Sequence, residues 1–172
     1  MKQIKFYLIA IIAAASINTV LLKSTNAQSF SDAVSYMNYI GNEYQKITND
    51  VMSYTSAVAH GKSARKQEKK RKELLQTALN TKNKIEKMPD FQGDHSLRDT
   101  AVSFLKLNYN VLNNDYAKIV DLEEIAEQSY DLMEAYLMAL EIANEKLDNA
   151  FQIVIYQRNK FAEKNNINIK ML

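Results

Sequence analysis

The sequence contains no cysteine and no tryptophan, and its 172 residues include 3 glycines, 1 proline and 2 histidines. Without cysteine there are no disulfides, thiolate metal ligands or cysteine nucleophiles, and no acceptor for a bacterial lipoprotein anchor. So few glycines and prolines cannot supply the many tight turns of a β-sandwich or barrel. Because 47% of the residues are hydrophobic and 24% are charged, the chain can bury a core, and long helices with few connections are favoured.

Residues 1–27 have the pattern of a secretory signal peptide. Lys2 and Lys5 give a positive start, residues 6–15 (FYLIAIIAAA) form a short apolar stretch, and small residues precede a cleavage site after Ala27. The alternative is an uncleaved membrane anchor over residues 6–22, although polar residues interrupt the roughly 20 apolar positions that a span needs. We expect cleavage and an exported protein, located in the periplasm, at the cell surface or outside the cell.

Loss of the leader changes the charge of the protein. The basic residues fall from 22 to 19 when Lys2, Lys5 and Lys23 are removed, whereas all 20 acidic residues remain, so the mature chain is near −1. Overall basicity therefore gives no support for nucleic-acid binding. Residues 28–172 are expected to form one domain, with residues 167–172 as a short apolar tail that frays or docks elsewhere.

Hydrophobic periodicity predicts four helices in the mature chain. They cover, approximately, residues 31–59, 63–87, 96–119 and 121–165. The first carries an unbroken apolar seam with a period of 3.5 residues, which is typical of a coiled coil: Ala33, Met37, Ile40, Tyr44, Ile47, Val51, Tyr54 and Val58. Short connections favour antiparallel neighbours, so we expect an all-α, up-down four-helix bundle.

Local signals indicate where these helices begin. Ser29 or Ser31 could cap the first helix, Asp94 or Ser96 the third, and Asp121 with Glu124 has the spacing of a capping box for the fourth. The loop at residues 89–94 (PDFQGD) separates the second helix from the third. A fourth helix of about 40 residues would be roughly 60 Å long and would overhang the bundle. A long helical hairpin that oligomerises is the alternative architecture, and the oligomeric state stays open.

Charge segregation is the strongest functional signal. Seven basic residues face one acidic residue in residues 62–72 (KSARKQEKKRK), and this segment is the candidate interaction patch. Its basic members are Lys62, Arg65, Lys66, Lys69, Lys70, Arg71 and Lys72. Residues 121–148 carry nine acidic residues and one basic residue. Either the two segments are neighbours whose charges balance, or the basic segment docks an unknown protein or an anionic envelope component, with peripheral membrane contact. No aromatic residue interleaves the patch, so no nucleic-acid partner is expected.

Metal and catalytic sites have little support. Neither His60 nor His95 follows a glutamate by three positions, as the ferritin-like di-iron motif requires. The acidic row of Glu124, Glu127, Asp131 and Glu134 therefore lacks a nitrogen ligand, and we expect no metal or other cofactor. His95 has Asp94, Ser96 and Asp99 nearby in sequence, but helix capping explains that cluster better than catalysis does.

The ten tyrosines are expected to serve mainly the core. Tyr44, Tyr54 and Tyr136 fall on apolar stripes, where the ring can be buried and the hydroxyl can reach the rim. Tyr36, Tyr39 and Tyr130 lie off those stripes or at their edges, which would also suit a contact patch.

Three stretches together carry a resemblance to known proteins. They are residues 53–75 (SYTSAVAHGKSARKQEKKRKELL), residues 91–99 (FQGDHSLRD) and residues 111–141 (VLNNDYAKIVDLEEIAEQSYDLMEAYLMALE). With them the chain resembles a family of exported surface proteins found in leptospires and Bacteroidota. The resemblance implies an exported helical protein and brings no activity or site residues.

Taken together, the sequence predicts an exported, non-enzymatic helical protein of the bacterial envelope or surface that acts by binding. A periplasmic holdase chaperone for unfolded envelope proteins is the first alternative. A carboxylate-based metal-binding protein or enzyme is the second.

Overall fold

A computed structural model describes residues 29–60 and 62–169, and it folds them into four helical arms. The helices are α1 (Ala33–Ala59), α2 (Ala64–Glu86), α3 (Ser96–Asn110), α4 (Tyr116–Ile125) and α5 (Tyr130–Lys164). A π-helical turn, Val111–Asp115, joins α3 to α4, so these two helices make one arm. The predicted all-α class is confirmed. The predicted signal peptide lies outside the described residues.

Contacts between the arms show an up-down order. Thr77 of α2 donates to Asp50 of α1, whereas the later Lys84 pairs with the earlier Glu43 at 3.5 Å, so the two helices run in opposite directions. The third arm runs back along α2, and α5 runs back along the third arm, where the Tyr116 hydroxyl lies 3.2 Å from the Asn144 side-chain oxygen. The antiparallel four-helix bundle predicted from the short connections is therefore confirmed.

An aromatic cluster closes one end of the bundle. The Tyr36 ring near the start of α1 lies 5.4 Å from the Phe91 ring and 5.6 Å from the Phe161 ring near the end of α5. Phe30 packs edge-on against Tyr36 at 4.9 Å. The Tyr36 hydroxyl donates to the carbonyl of Pro89 at 3.1 Å. Three parts of the chain that are distant in sequence are thereby held together.

The loop between α2 and α3 contains a tight turn. Phe91 and Asp94 exchange backbone hydrogen bonds of 3.0 and 2.9 Å across Gln92 and Gly93. Both central residues have positive φ, 52° and 80°, as in the type I′ turn of a hairpin. Phe91 is thus turned back into the core.

Two predicted helix starts are wrong. The cap of α1 is Asp32, whose carboxylate accepts the backbone N–H of Ser35 at 2.7 Å, rather than Ser29 or Ser31. The last helix begins at Tyr130 and not at Asp121, because the third arm stays helical through residue 125. Ser129, in an extended conformation, caps α5 by accepting the backbone N–H of Leu132 at 3.2 Å.

The last helix is shorter than expected but is still the longest. Its 35 residues correspond to about 52 Å, against about 40 Å for α1. It ends in a Schellman motif: Asn166 adopts a φ of 55°, and the N–H of Ile167 bonds the carbonyl of Ala162 at 2.8 Å. Of the predicted tail, Ile167 and Ile169 pack against the core, and residues 170–172 lie outside the described part.

Candidate interaction surface

The α2 basic stripe consists of Lys62, Arg65, Lys66, Lys69 and Lys72, all exposed. Arg65, Lys69 and Lys72 recur at intervals of four and three, so they share one face of the helix. The buried residues of α2, such as Leu74 and Ala78, lie on the opposite face. Anchoring one side of α2 in the core therefore turns the stripe outward.

Ion pairs on this surface are formed within α2. Lys69 and Lys70 pair with Glu73, at 3.9 and 2.7 Å, and Lys72 lies 3.5 Å from Glu68. These pairs join positions three or four residues apart on the exposed surface, where each contributes about 0.3–0.5 kcal/mol. Glu68 and Glu73 therefore offset part of the positive charge of the segment.

Three members of the stripe keep their charge unpaired. Among the described side chains, Lys62, Arg65 and Lys66 form no ion pair. They lie at the start of α2, where the helix dipole is itself positive. A shallow depression lined by Arg65, Lys66 and Lys69 runs along this face. The N-terminal end of α2 therefore carries a cluster of exposed positive charge.

Arg71 differs from the rest of the predicted patch. Its side chain is 12% exposed, and it is held by two hydrogen bonds to Glu68 of 2.8 and 3.0 Å. Its Nη1 also donates to the carbonyl of Leu112, at 2.9 Å, in the π-helical turn of the third arm. The Arg71 guanidinium holds the pKa of Glu68 below its usual value. Arg71 therefore ties α2 to the third arm, and its charge is not offered to solvent.

The described side chains of the acidic segment form no close ion pairs with the basic stripe. No ion pair among the described side chains joins residues 62–72 to residues 121–148, and the one basic residue of the acidic segment, Lys146, pairs with Asp115 at 2.8 Å. The described ion pairs therefore give no direct pairing between the two charged segments, and the exposed basic residues of the stripe face solvent.

The cluster around His95 has the geometry of a helix cap. Asp94 accepts the backbone N–H of Ser96 at 3.0 Å and also bonds the Ser96 hydroxyl, while His95 Nδ1 lies 2.7 Å from Asp99. Lys164, at the end of α5, reaches Asp94 at 2.7 Å. Lys164 and Ser96 hold the pKa of Asp94 well below its usual range. Serine and histidine thus bond different carboxylates, so they do not form a nucleophile–base pair.

Other predicted ligand positions are also accounted for locally. His60 Nδ1 lies 2.7 Å from the carbonyl of Ser56 in the preceding turn. Within the described ranges, no three His, Cys, Asp or Glu side chains are close enough together to hold a metal ion.

The tyrosines placed on apolar stripes lie in or against the core, as predicted, and Tyr36 is the exception among those placed off the stripes. Tyr54 and Tyr136 are buried, and the partly buried Tyr44 donates its hydroxyl to the carbonyl of Ala101 at 3.0 Å. Tyr36, placed off the stripes from sequence, is fully buried, because α1 buries a wider face than its 3.5-residue seam. Tyr130 is 82% exposed.

A second exposed surface, on α5, was not predicted from the sequence. Met138, Ile142, Ile153 and Tyr156 of α5 are exposed large hydrophobic residues. The signal is present in the sequence as spacings of 4, 11 and 3, which recur on one helical face. It was obscured because α5 also carries the core-facing stripe of Tyr136, Leu147 and Phe161.

Comparison with protein-family models, with curated proteins and with solved structures gives no match to this chain. In the part of the chain that the structure describes, none of the helices combines the length and hydrophobicity needed to cross a membrane.

Proposed function

We propose that this is an exported, non-enzymatic helical protein that binds an anionic component of the bacterial envelope through the α2 basic stripe. The observation that carries the proposal is the positive charge of Lys62, Arg65 and Lys66 at the outward-facing start of α2, where these residues form no ion pair with any described side chain. Export rests on the predicted leader, residues 1–27, and the resemblance to exported surface proteins supports the same location.

The strength of such binding follows from the number of charges. A Lys or Arg close to an anionic membrane surface contributes about 1 kcal/mol, so removing three of them lowers the affinity by roughly 100-fold. Salt screens the attraction over a Debye length of about 8–10 Å. The stripe therefore favours reversible, salt-sensitive attachment to a surface rather than insertion.

The test uses vesicles of phosphatidylglycerol and phosphatidylcholine, compared with phosphatidylcholine alone, in a co-sedimentation assay. The triple variant K62Q/R65Q/K66Q is expected to lose most binding to the anionic vesicles. The matched control is K87Q/K106Q/K118Q, which removes the same charge from exposed lysines elsewhere and is expected to bind as the wild type does. Equal losses in the two variants, or no preference for anionic vesicles, would overturn the proposal.

Export is tested separately by protease treatment of intact cells, with mass spectrometry of the protein N-terminus. Cleavage before Gln28 is expected. Release of peptides from intact cells would favour a surface role, whereas protection until the outer membrane is opened would favour the periplasm. Retention of residues 1–27 would refute cleavage and leave the membrane-anchor alternative.

A holdase chaperone remains the second candidate, because the exposed apolar residues of α5 could contact unfolded polypeptide. Suppression of the aggregation of an unfolded outer-membrane barrel protein at equimolar ratio would support it. Unchanged aggregation would remove it.

A further inference from the structure

The outward face of α5 carries a stripe of exposed large apolar residues, one of which, Ile153, also borders a depression against Phe104 and Leu107 of α3. Met138, Ile142, Ile153 and Tyr156, here called the α5 outer stripe, are each 46% to 65% exposed. At 100° per residue they fall within a sector of about 60°. They extend over about 27 Å of the helix. Two pairs of exposed apolar residues on one outward face, separated by the polar Glu145 and Asn149, mark a candidate interaction surface.

The charge along α5 is strongly polarised. Residues 130–148 carry five acidic residues and one basic residue, a net charge of −4. Residues 149–164 carry three basic residues and one acidic residue, a net charge of +2. A second α5 laid alongside in the parallel sense would place like charges together, whereas an antiparallel α5 would place the acidic half against the basic half.

The stripe is also self-complementary in the antiparallel sense. With a two-fold axis beside Leu147, Met138 falls opposite Tyr156 of the second copy, and Ile142 falls within one residue of the position opposite Ile153 of the second copy. The same register sets Glu145 opposite Asn149 between these two apolar contacts. Such a surface is what an isologous two-fold interface requires, since each contact then occurs twice.

Charged residues beyond the apolar contacts fit the same register. Glu134 falls opposite Lys160 of the second copy. Both are exposed, and neither forms an ion pair with another described residue of its own chain. The charges that flank the stripe are therefore free to pair between copies.

We propose that the protein forms a two-fold dimer through antiparallel packing of the α5 outer stripe. The face that α5 offers is about 52 Å long and about 10 Å wide, or roughly 500 Å² per copy. A standard stable interface buries about 800 Å² per partner. The dimer is therefore expected to be weak and to dissociate on dilution through the micromolar range.

The first test is sedimentation velocity of the purified protein over a range of concentrations. The wild type is expected to shift from monomer to dimer as concentration rises. I142E, which places a charge in both symmetric contacts, is expected to raise the dissociation constant at least 100-fold. The matched control is M52E, at an exposed apolar position of α1, and it is expected to dimerise normally. A wild type that stays monomeric, or equal behaviour of I142E and the wild type, would overturn the proposal.

The second test addresses orientation through charge. K160E and E134K, each made alone, are expected to weaken the dimer by about tenfold, because each sets like charges opposite one another in both symmetric pairs. The double variant E134K/K160E is expected to restore wild-type dimerisation. Failure of the double variant to recover, while each single variant weakens the dimer, would overturn the antiparallel register.

A third test uses the absence of cysteine from the chain. In the proposed register a chain with Glu145→Cys and a chain with Asn149→Cys should cross-link to each other on oxidation more readily than either does to itself. Cross-linking of each variant mainly to itself would indicate a parallel arrangement and refute the antiparallel dimer.

Suppression of the aggregation of an unfolded protein by the wild-type monomer, if lost in I142E, would instead assign the α5 outer stripe to polypeptide binding.

Discussion

Tyr36 provides the most direct test of how the bundle is closed. It is fully buried, and its ring contacts Phe30, Phe91 and Phe161. Replacing it with alanine removes a buried ring and leaves a cavity, so the free energy of unfolding is expected to fall by about 3–5 kcal/mol. Since domains of this size are stable by about 5–15 kcal/mol, Tyr36→Ala should remove a large part of the total.

Tyr36→Phe separates the ring from its hydroxyl. The variant keeps the ring contacts and loses the hydrogen bond to the Pro89 carbonyl. The expected cost is about 1 kcal/mol, because that carbonyl lies in an exposed loop and can be hydrated instead. Urea-induced unfolding followed by far-ultraviolet circular dichroism measures both variants. Tyr130→Ala is the control, and its 82% exposure predicts a change within about 0.5 kcal/mol.

The same residue predicts a dependence on alkaline pH. Burial raises the pKa of Tyr36 to about 12, whereas an unfolded tyrosine has a pKa near 10. Above pH 10 the unfolded state ionises first, so stability is expected to fall as pH rises from 10 to 12. This fall in stability should be smaller in Tyr36→Phe.

A free energy of unfolding for Tyr36→Ala within about 1 kcal/mol of the wild-type value would refute the proposed role of the aromatic cluster.

Three further outcomes are expected. Gln92 adopts a positive φ in the tight turn before α3, so Gln92→Asn should raise stability by a few tenths to about 1 kcal/mol in thermal unfolding, and a loss would contradict the turn geometry. Ser129→Ala removes the cap of α5 and should cost about 1 kcal/mol in urea unfolding, whereas an unchanged midpoint would show that the cap is not needed. Asp94→Ala removes the carboxylate that accepts the Ser96 N–H at the start of α3 and pairs with Lys164, and should cost about 1–2 kcal/mol at pH 7. Because the pKa of Asp94 is lowered in the folded state, this difference should shrink as pH falls below about 4, which acid unfolding of both proteins would show.

The periodic spacing of apolar residues predicted the helical arms of the bundle, because most apolar residues of α1 and α2 serve to pack the core. It did not predict the widths of the buried faces. Tyr36 and Glu43 lie one position from the 3.5-residue seam of α1 and are nevertheless buried, because neighbouring helices approach α1 from two sides. The sequence specifies the centre of the buried face more closely than its edges.

The third arm shows a second limit. The Asp121 carboxylate could accept a backbone N–H at the start of a helix. It does not cap one here, because a helix begins only where the preceding helix is interrupted, and Asp121 lies inside α4. The interruption lies at Ser129, and residues 116–125 continue the preceding helix through a π-helical turn that no sequence period signals.

The candidate surface was predicted in outline, because a run of seven basic residues in residues 62–72 must leave most of them in solvent. The burial of Arg71 could not be predicted. It depends on a carbonyl of the π-helical turn, which only the folded third arm brings within reach of α2.

The two departures from α-helical bonding in the third arm have a consequence for how the bundle opens. Between Val111 and Gln128 the backbone passes from π-helical to α-helical to 3₁₀ bonding, and Ser129 then breaks the helix. Amide hydrogens near these junctions should exchange through local opening, at lower free energies than those beside the aromatic cluster. The bundle therefore has a slow-exchanging end around Tyr36 and Phe161 and a fast-exchanging end where α4 turns into α5. Thermal fluctuation would spread the arms from that second end first.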